Sequence, residues 1–196
     1  MSASDPKREL WLAWWTMVAF YQLFFLVFFV ITRTQPPPNP GSDIPTVVAW
    51  FRARRDGLLI GFAIVFVITG MTSMCNALIA YSMRRMSISP AFAYTYLVIY
   101  SLSAVPGMLL MCLALTAGAM RPNRDPELLQ WLYDFAFLSF SGTMGVFLIG
   151  SLLWMAAILI DRNRVFPTWF GYLNLCNALT EVVVAPAWIF HRGVFA

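Results

Sequence analysis

The sequence predicts an all-α integral membrane helical bundle, and composition and five long apolar runs are the observations that predict it. Hydrophobic residues make up 60% of the 196 residues and charged residues 11%, whereas a soluble domain usually has about 25% charged residues. A bilayer core about 30 Å thick is crossed by about 20 apolar helical residues. We therefore expect a single transmembrane domain over 1–196 with five transmembrane helices, at about 10–31, 58–80, 91–116, 135–160 and 169–190.

The segment between the first two runs predicts a surface strap followed by an interfacial helix. Residues 36–40 read Pro-Pro-Pro-Asn-Pro, and consecutive prolines favour an extended path. Residues 47–56 then mix Trp50 and Phe51 with arginines, a composition typical of a short helix lying in the headgroup layer. We expect Trp50 and Phe51 to face acyl chains and the arginines to face phosphates.

The other connections are short, which indicates antiparallel neighbouring helices. Asp125 followed by Pro126 predicts a capped helix start after the third run. The number of basic residues on each side of the membrane does not determine the orientation, because six would lie on the N-terminal side and seven on the other. The short, arginine-dense turns at 84–85 and 162–164 favour a cytoplasmic N-terminus, with the proline-rich strap outside.

Polar side chains within the apolar runs form the candidate site. Glu181 lies near the middle of the fifth run, where a charge costs about 2.5–3.5 kcal/mol, so it should face protein or a cavity and have a polar partner. At about 100° per residue, Asn174, Asn177 and Glu181 share one stripe of that helix. Asn76 belongs to a polar stripe of the second run, and Asp134 precedes the most apolar part of the fourth. The candidate polar pocket comprises these five residues; the alternative is that they only hydrogen-bond between helices or, for Asp134, lie at the interface.

Cofactor, metal and nucleic-acid sites are not indicated. The three cysteines, Cys75, Cys112 and Cys176, lie in separate runs without a CxxC and resemble small apolar residues at helix interfaces. His191 is the single histidine, and a lone histidine does not make a metal or haem site. Because no catalytic motif appears, we expect a non-catalytic protein, with a lipid-modifying enzyme as the least favoured reading.

Three segments together resemble a bacterial family of uncharacterised multispan membrane proteins. They are PPPxP at 36–40, RPxRxPEL at 121–128 followed by Asp134, and Asp161-Arg162 followed by FPxWxGYxN at 166–174. The resemblance implies a multi-pass protein of the bacterial inner (cytoplasmic) membrane and no known chemistry. Relatives have an arginine in place of Thr168, apolar and glycine-rich residues around Glu181, and a sixth helix beyond Ala196.

Two classes of function follow. The first is a non-catalytic subunit or accessory of a larger membrane assembly, with a protein partner or a second copy in the membrane. The alternative is a carrier or binder of small lipophilic molecules or lipids, through a polar pocket around Glu181. An open cavity at the Glu181 stripe would favour the binder, whereas a dry, packed stripe would favour the subunit. We expect either that the fifth helix contacts a partner or lipid along Asn177, Glu181 and Trp188, or that the natural chain continues beyond Ala196.

Overall fold

The computed structural model describes residues 6–39, 41–121 and 123–184, and over these residues the chain is all-α, 82% helical and without strands. Two stretches have π-helical geometry, one extending the first helix and one inside the third apolar run. The helices are α1 (Pro6–Phe25, continued by a π-helix at Leu26–Ile31), α2 (Ile44–Ile68), α3 (Gly70–Met83), α4 (Pro90–Val98, continued by a π-helix at Ile99–Ala104), α5 (Val105–Met120), α6 (Pro126–Ser141), α7 (Met144–Ile160) and α8 (Thr168–Val184).

Within the described residues, three helical segments are long and apolar enough to cross a membrane: Leu10–Ile31, Pro90–Met120 and Pro126–Ile160. A fourth arises if α2 and α3, which meet at a bend of 43°, count as one span. The predicted second run therefore contains a bend at Thr69 in place of a straight helix. The structure describes only 17 residues of α8, and the rest of the fifth predicted run lies outside the described residues. The described helices do not confirm five spans.

Helix starts follow local capping signals. Asp125 Oδ1 accepts hydrogen bonds from Glu127 N at 2.8 Å and from Leu128 N at 3.4 Å, with Pro126 in the first turn. The predicted cap at Asp125 is confirmed. Asp43 and Ser89 cap α2 and α4 in the same way, each one or two residues before a proline.

The segment 47–56 is the first half of α2, an unbroken helix that continues to Ile68. Trp50 is 6% and Phe51 2% exposed. The Trp50 ring lies 5.7 Å from that of Tyr133 on α6, and a Cβ added at Gly118 on α5 would lie 2.6 Å from the Phe51 ring. The prediction that these two aromatic residues face acyl chains is wrong, because α5 and α6 cover that side of α2.

Two arginines of α2 hydrogen-bond to backbone carbonyl groups at the ends of two other helices. Arg54 Nε donates to Arg33 O at 2.7 Å, just beyond α1 and its π-helix, and Arg55 Nε donates to Ala119 O at 3.2 Å in the last turn of α5. Cations are favoured at such helix ends, where carbonyl oxygens lack helical partners. These guanidinium groups therefore have protein partners in addition to any contact with headgroups.

Among the described residues, the bundle has two large packing centres on either side of the bend at Thr69 and a third, smaller cluster of Phe20, Ile68 and Cys75 at the bend. One core lies where α2 packs against α5 and α6, and the other where α3 and α4 pack against α7, which is covered in turn by α8. Helix α1 packs along α3. At the bend, Thr69 Oγ1 donates to Val65 O at 2.7 Å and Thr72 Oγ1 donates to Thr69 O at 2.6 Å, which satisfies carbonyls there.

Candidate binding cavity

A cleft of about 1000 Å³ lies among α1, α3, α4 with its π-helix, α7 and α8. Its wall is mainly aromatic and aliphatic, with asparagine, serine and tyrosine side chains as the polar groups. No described residue that lines it carries a formal charge. Sites for small molecules commonly combine an apolar wall with a few convergent polar groups, and this cleft has that character.

Amide and hydroxyl groups from four elements meet in one layer of the cleft. Asn177 Nδ2 on α8 donates to Ser151 Oγ on α7 at 2.8 Å, and the Tyr100 hydroxyl lies against Gly150, the residue before Ser151. Asn76 Nδ2 on α3 donates to Ser101 Oγ at 3.3 Å. Each amide has two N–H donors and an acceptor oxygen, and these bonds use one donor of each. The layer therefore keeps hydrogen-bonding capacity for a molecule in the cleft.

This amide layer, defined by Asn76, Tyr100, Ser151 and Asn177, lies far from the nearer helix ends, with Ser151 buried and Asn177 exposed. At 1.5 Å per residue, Asn177 is about 14 Å from the start of α8 and Ser151 is about 14 Å from the end of α7. Asn76 is about 10 Å from the end of α3 by the same measure. Across a hydrocarbon core about 30 Å thick, these positions approach the middle of the membrane.

Aromatic rings build the wall between the amide layer and the nearer face. Trp154 contacts Phe170 with ring centroids 4.9 Å apart and Tyr96 with centroids 5.0 Å apart, both in edge-to-face geometry. Tyr96 in turn lies 4.6 Å from Tyr100. Gly150 permits this arrangement, because an added Cβ would lie 2.8 Å from the Tyr100 ring. The wall is therefore a packed aromatic surface held in place across α4, α7 and α8.

The structure brings three of the five predicted pocket residues to the cleft. Asn76, Asn174 and Asn177 line it, and Asn174 Nδ2 also donates to Phe170 O of its own helix at 2.8 Å. Glu181 is one turn beyond Asn177 and partly buried, but it is not a lining residue.

Asp134 lies apart from the cleft, on α6, whose packing partners are α5 and α2. The structure therefore does not assemble the predicted five-residue pocket. The predicted contact at Trp188 lies outside the described residues.

Several residues of the cleft escaped the sequence analysis. Tyr100, Ser151 and Trp154 appeared as members of apolar runs, although the pair Gly150-Ser151 interrupts the fourth run with small and polar groups. Tyr100 belongs to the π-helix that precedes Pro106, and a proline without an N–H is a local signal for such a departure from α-helical bonding. π-Helical turns frequently occur at functional sites.

Asp161 joins the two loops at the face nearest the cleft, and it is buried, at 6% exposure. Its Oδ1 accepts hydrogen bonds from Ser87 N at 2.7 Å, Ser87 Oγ at 3.0 Å and Asn163 N at 3.0 Å, and its Oδ2 accepts one from Val165 N at 2.9 Å. Burial acts to raise the pKa of this carboxyl, but the four hydrogen bonds together lower it below the ordinary aspartate value. The sequence analysis included Asp161 only in a family motif.

Asp161 thus holds the α3–α4 connection to the α7–α8 connection. Asn163 Nδ2 reinforces the junction by donating to Arg85 O at 2.9 Å, and Arg162 N donates to Ser87 Oγ at 2.7 Å. Because the four helices that leave these loops carry most of the cleft wall, the junction sets how the wall is spaced.

Among the described residues, no group of three or more histidine, cysteine, aspartate or glutamate side chains could hold a metal ion. No protein family, curated protein or solved structure matches the chain. The resemblance to a bacterial family of multispan membrane proteins therefore stays a hypothesis.

Proposed function

We propose that the chain binds a small lipophilic molecule or lipid in the cleft, with an uncharged polar group on the amide layer. The observation that carries the proposal is the cleft itself, about 1000 Å³ in volume and bordered by Asn174 and Asn177 of the predicted polar stripe. A cavity beside this stripe favours the binder over the accessory subunit, although Glu181 lies at its margin.

The chemistry of the wall supports an uncharged ligand. Aromatic and aliphatic side chains solvate hydrocarbon, while amides and hydroxyls exchange hydrogen bonds with neutral carbonyl or hydroxyl groups. A formal charge would have to leave water for a cleft whose described lining residues offer it no countercharge. Binding or carriage in this form needs no metal, cofactor or catalytic residue.

The membrane arrangement is part of the same proposal. The chain is a multi-pass protein of the bacterial inner membrane with a cytoplasmic N-terminus and five spans, the fifth beginning with α8. The apolar character of the described helices supports membrane insertion. A reporter domain fused after Met1 or after Ala196 shows on which side of the membrane that chain end lies. The two fusions together test orientation and span number, because five spans place the two ends on opposite sides.

The binding proposal is tested by native mass spectrometry of the protein released from mild detergent. We expect the wild type and Asn177→Gln to retain a molecule of defined mass, and Asn177→Leu to lose it. Asn123→Leu, at an exposed loop position, is the matched control and should behave as wild type. Equal retention in Asn177→Leu, or a bare polypeptide from two detergents of different head group, would refute binding in the cleft.

A second candidate, the subunit of a membrane assembly, is favoured by one observation. Ser141 and Gly145 are small residues four positions apart, a spacing that lets helices approach closely in membranes. A Cβ added at Gly145 meets no atom within 4 Å among the described residues, so this position has room for a neighbouring helix. Disulfide crosslinking of Gly145→Cys in native membranes tests it. A dimer or heteromeric adduct supports the subunit, and a monomer under oxidising conditions counts against it.

A further inference from the structure

We infer that the ligand lies with its uncharged polar end on the amide layer and its hydrocarbon end towards Trp11 and Trp14. This orientation identifies the ligand class as a neutral long-chain lipophile ending in a hydroxyl or carbonyl group, as opposed to a phospholipid. The inference rests on the proposed function, because it assumes that the cleft is occupied.

The polarity of the cleft changes with depth. Its deep end is the amide layer, about 10–14 Å from the nearer helix ends at 1.5 Å per residue. The end near the loops is lined instead by Leu10, Trp11, Trp14 and Phe166. The polar groups of that end are the indole N–H groups of Trp11 and Trp14, which only donate, and the Ser82 hydroxyl, which already donates to Leu78 O of its own helix at 2.9 Å. A ligand matched to the cleft therefore has its polar group at the deep end.

A phospholipid presents the opposite polarity. Its charged head group belongs at the membrane face and its acyl chains reach towards the midplane. Seated in the cleft, it would place hydrocarbon on Asn76, Ser151 and Asn177, and leave their remaining hydrogen-bonding groups without partners. Inverted, it would carry a charged phosphate to mid-membrane depth. A neutral hydroxyl or carbonyl avoids both costs because it hydrogen-bonds to the amides.

The packing of the helices gives such a molecule a route from the bilayer. Helix α1 packs along α3, and α8 packs along α7, while both α1 and α8 contribute side chains to the cleft. Among the described residues, no comparable packing joins α1 to α8. Over the described residues, the cleft is therefore open between these two helices, and a lipophile dissolved in the acyl chains enters sideways through this opening.

The test uses photoactivatable probes with the full-length chain in nanodiscs. One probe is hexadecanol with a diazirine beside the hydroxyl-bearing carbon, a second has the diazirine at the far chain end, and a third is phosphatidylcholine with a chain-end diazirine. Adducts are located by peptide mass spectrometry. We expect the first probe to label Tyr100, Ser151 and Asn177, and the second to label Trp11, Trp14 and Phe166. Excess hexadecanol should displace both.

Variants relate the labelling to the amide layer. Asn177→Leu and Ser151→Ala should each lose one hydrogen bond to the ligand. We therefore expect each to lower saturable labelling by the first probe about five- to tenfold. Asn123→Leu, outside the cleft, should label as wild type does. Helical circular dichroism and a single elution peak verify folding, and if Asn177→Leu fails them the smaller change Ser151→Ala carries the comparison.

The outcomes separate the two proposals. Labelling by the first probe near Trp11 and by the second on the amide layer would overturn the orientation but leave binding in place. Deep labelling by the phosphatidylcholine probe that hexadecanol does not displace would overturn the ligand class. Absence of saturable labelling with all three probes would remove this inference together with the proposed function.

Discussion

Replacement of Asp161 tests the junction that spaces the cleft wall. The carboxylate accepts four hydrogen bonds, three on Oδ1 and one on Oδ2, and two of them come from Ser87 in another loop. Asp161→Ala removes all four and exposes three backbone N–H groups to water or leaves them unpaired. Hydrogen bonds to charged groups contribute about 1.5–3 kcal/mol each and are not additive, so we expect a loss of about 2–4 kcal/mol in unfolding free energy.

Asp161→Asn separates shape from charge. An amide oxygen in place of Oδ1 still accepts the three hydrogen bonds made to Oδ1. The amide nitrogen in place of Oδ2 faces the Val165 N–H, so that two donors oppose each other. We expect a loss smaller than that of Asp161→Ala, at about 1–2 kcal/mol. Thermal unfolding in mild detergent, followed by helical circular dichroism, measures both variants.

The same junction predicts a pH dependence. The pKa of Asp161 is lower in the folded chain than its ordinary value near 3.9. The unfolded chain therefore binds the proton more readily, so the contribution of Asp161 to stability is complete above about pH 5 and declines as pH falls below 4 through the folded pKa. The stability difference between wild type and Asp161→Asn should be constant from pH 5 to 7 and shrink below pH 4.

Asp56→Asn is the matched control, because Asp56 is exposed and its ion pair with Arg55, at 3.4 Å, is of a kind that contributes little. It should change stability by less than about 0.5 kcal/mol. Equal effects of Asp56→Asn and Asp161→Asn at pH 7, or a difference from wild type that does not depend on pH, would refute the reasoning about the junction.

Two glycine comparisons test packing. Gly118→Ala should lower the unfolding free energy by about 1–3 kcal/mol, because its Cβ would lie 2.6 Å from the buried Phe51 ring. Gly70→Ala meets open space and should be neutral or stabilising by up to about 1 kcal/mol. Thermal unfolding measures both variants, and equal effects would contradict the packing of α2 on α5. Gly150→Ala should push the Tyr100 ring, 2.8 Å from the added Cβ, out of the amide layer and reduce hexadecanol-probe labelling, and unchanged labelling with normal folding would argue against a role of that ring.

The sequence alone determined the fold class and several helix starts. Long apolar runs require helices in a membrane, because hydrocarbon offers no partners to free N–H and C=O groups, and this requirement does not depend on which helices are neighbours. The cap at Asp125 is similarly local, since its partners are two and three residues away. The stripe of Asn174 and Asn177 also follows from helical period alone, and both residues line the cleft.

Only the tertiary structure decided what these helices face. Trp50 and Phe51 beside arginines have the composition of an interfacial helix, and their burial depends on α5 and α6, which the local sequence does not specify. The 43° bend at Thr69 places most of α2 and the end of α3 in different packing centres, while Ile68 and Cys75 share a small cluster with Phe20 at the bend.

The site shows the same division. Ser151 meets Asn177 across 26 positions of the chain, and Ser87 meets Asp161 across 74. A helical period predicts which side chains share a face, but it contains no information about the helix on the other side. The amide layer and the loop junction are both made by such pairs. The sequence therefore indicated Asn177 and Asp161, and only the packing of the bundle showed that Ser151 and Ser87 are their partners.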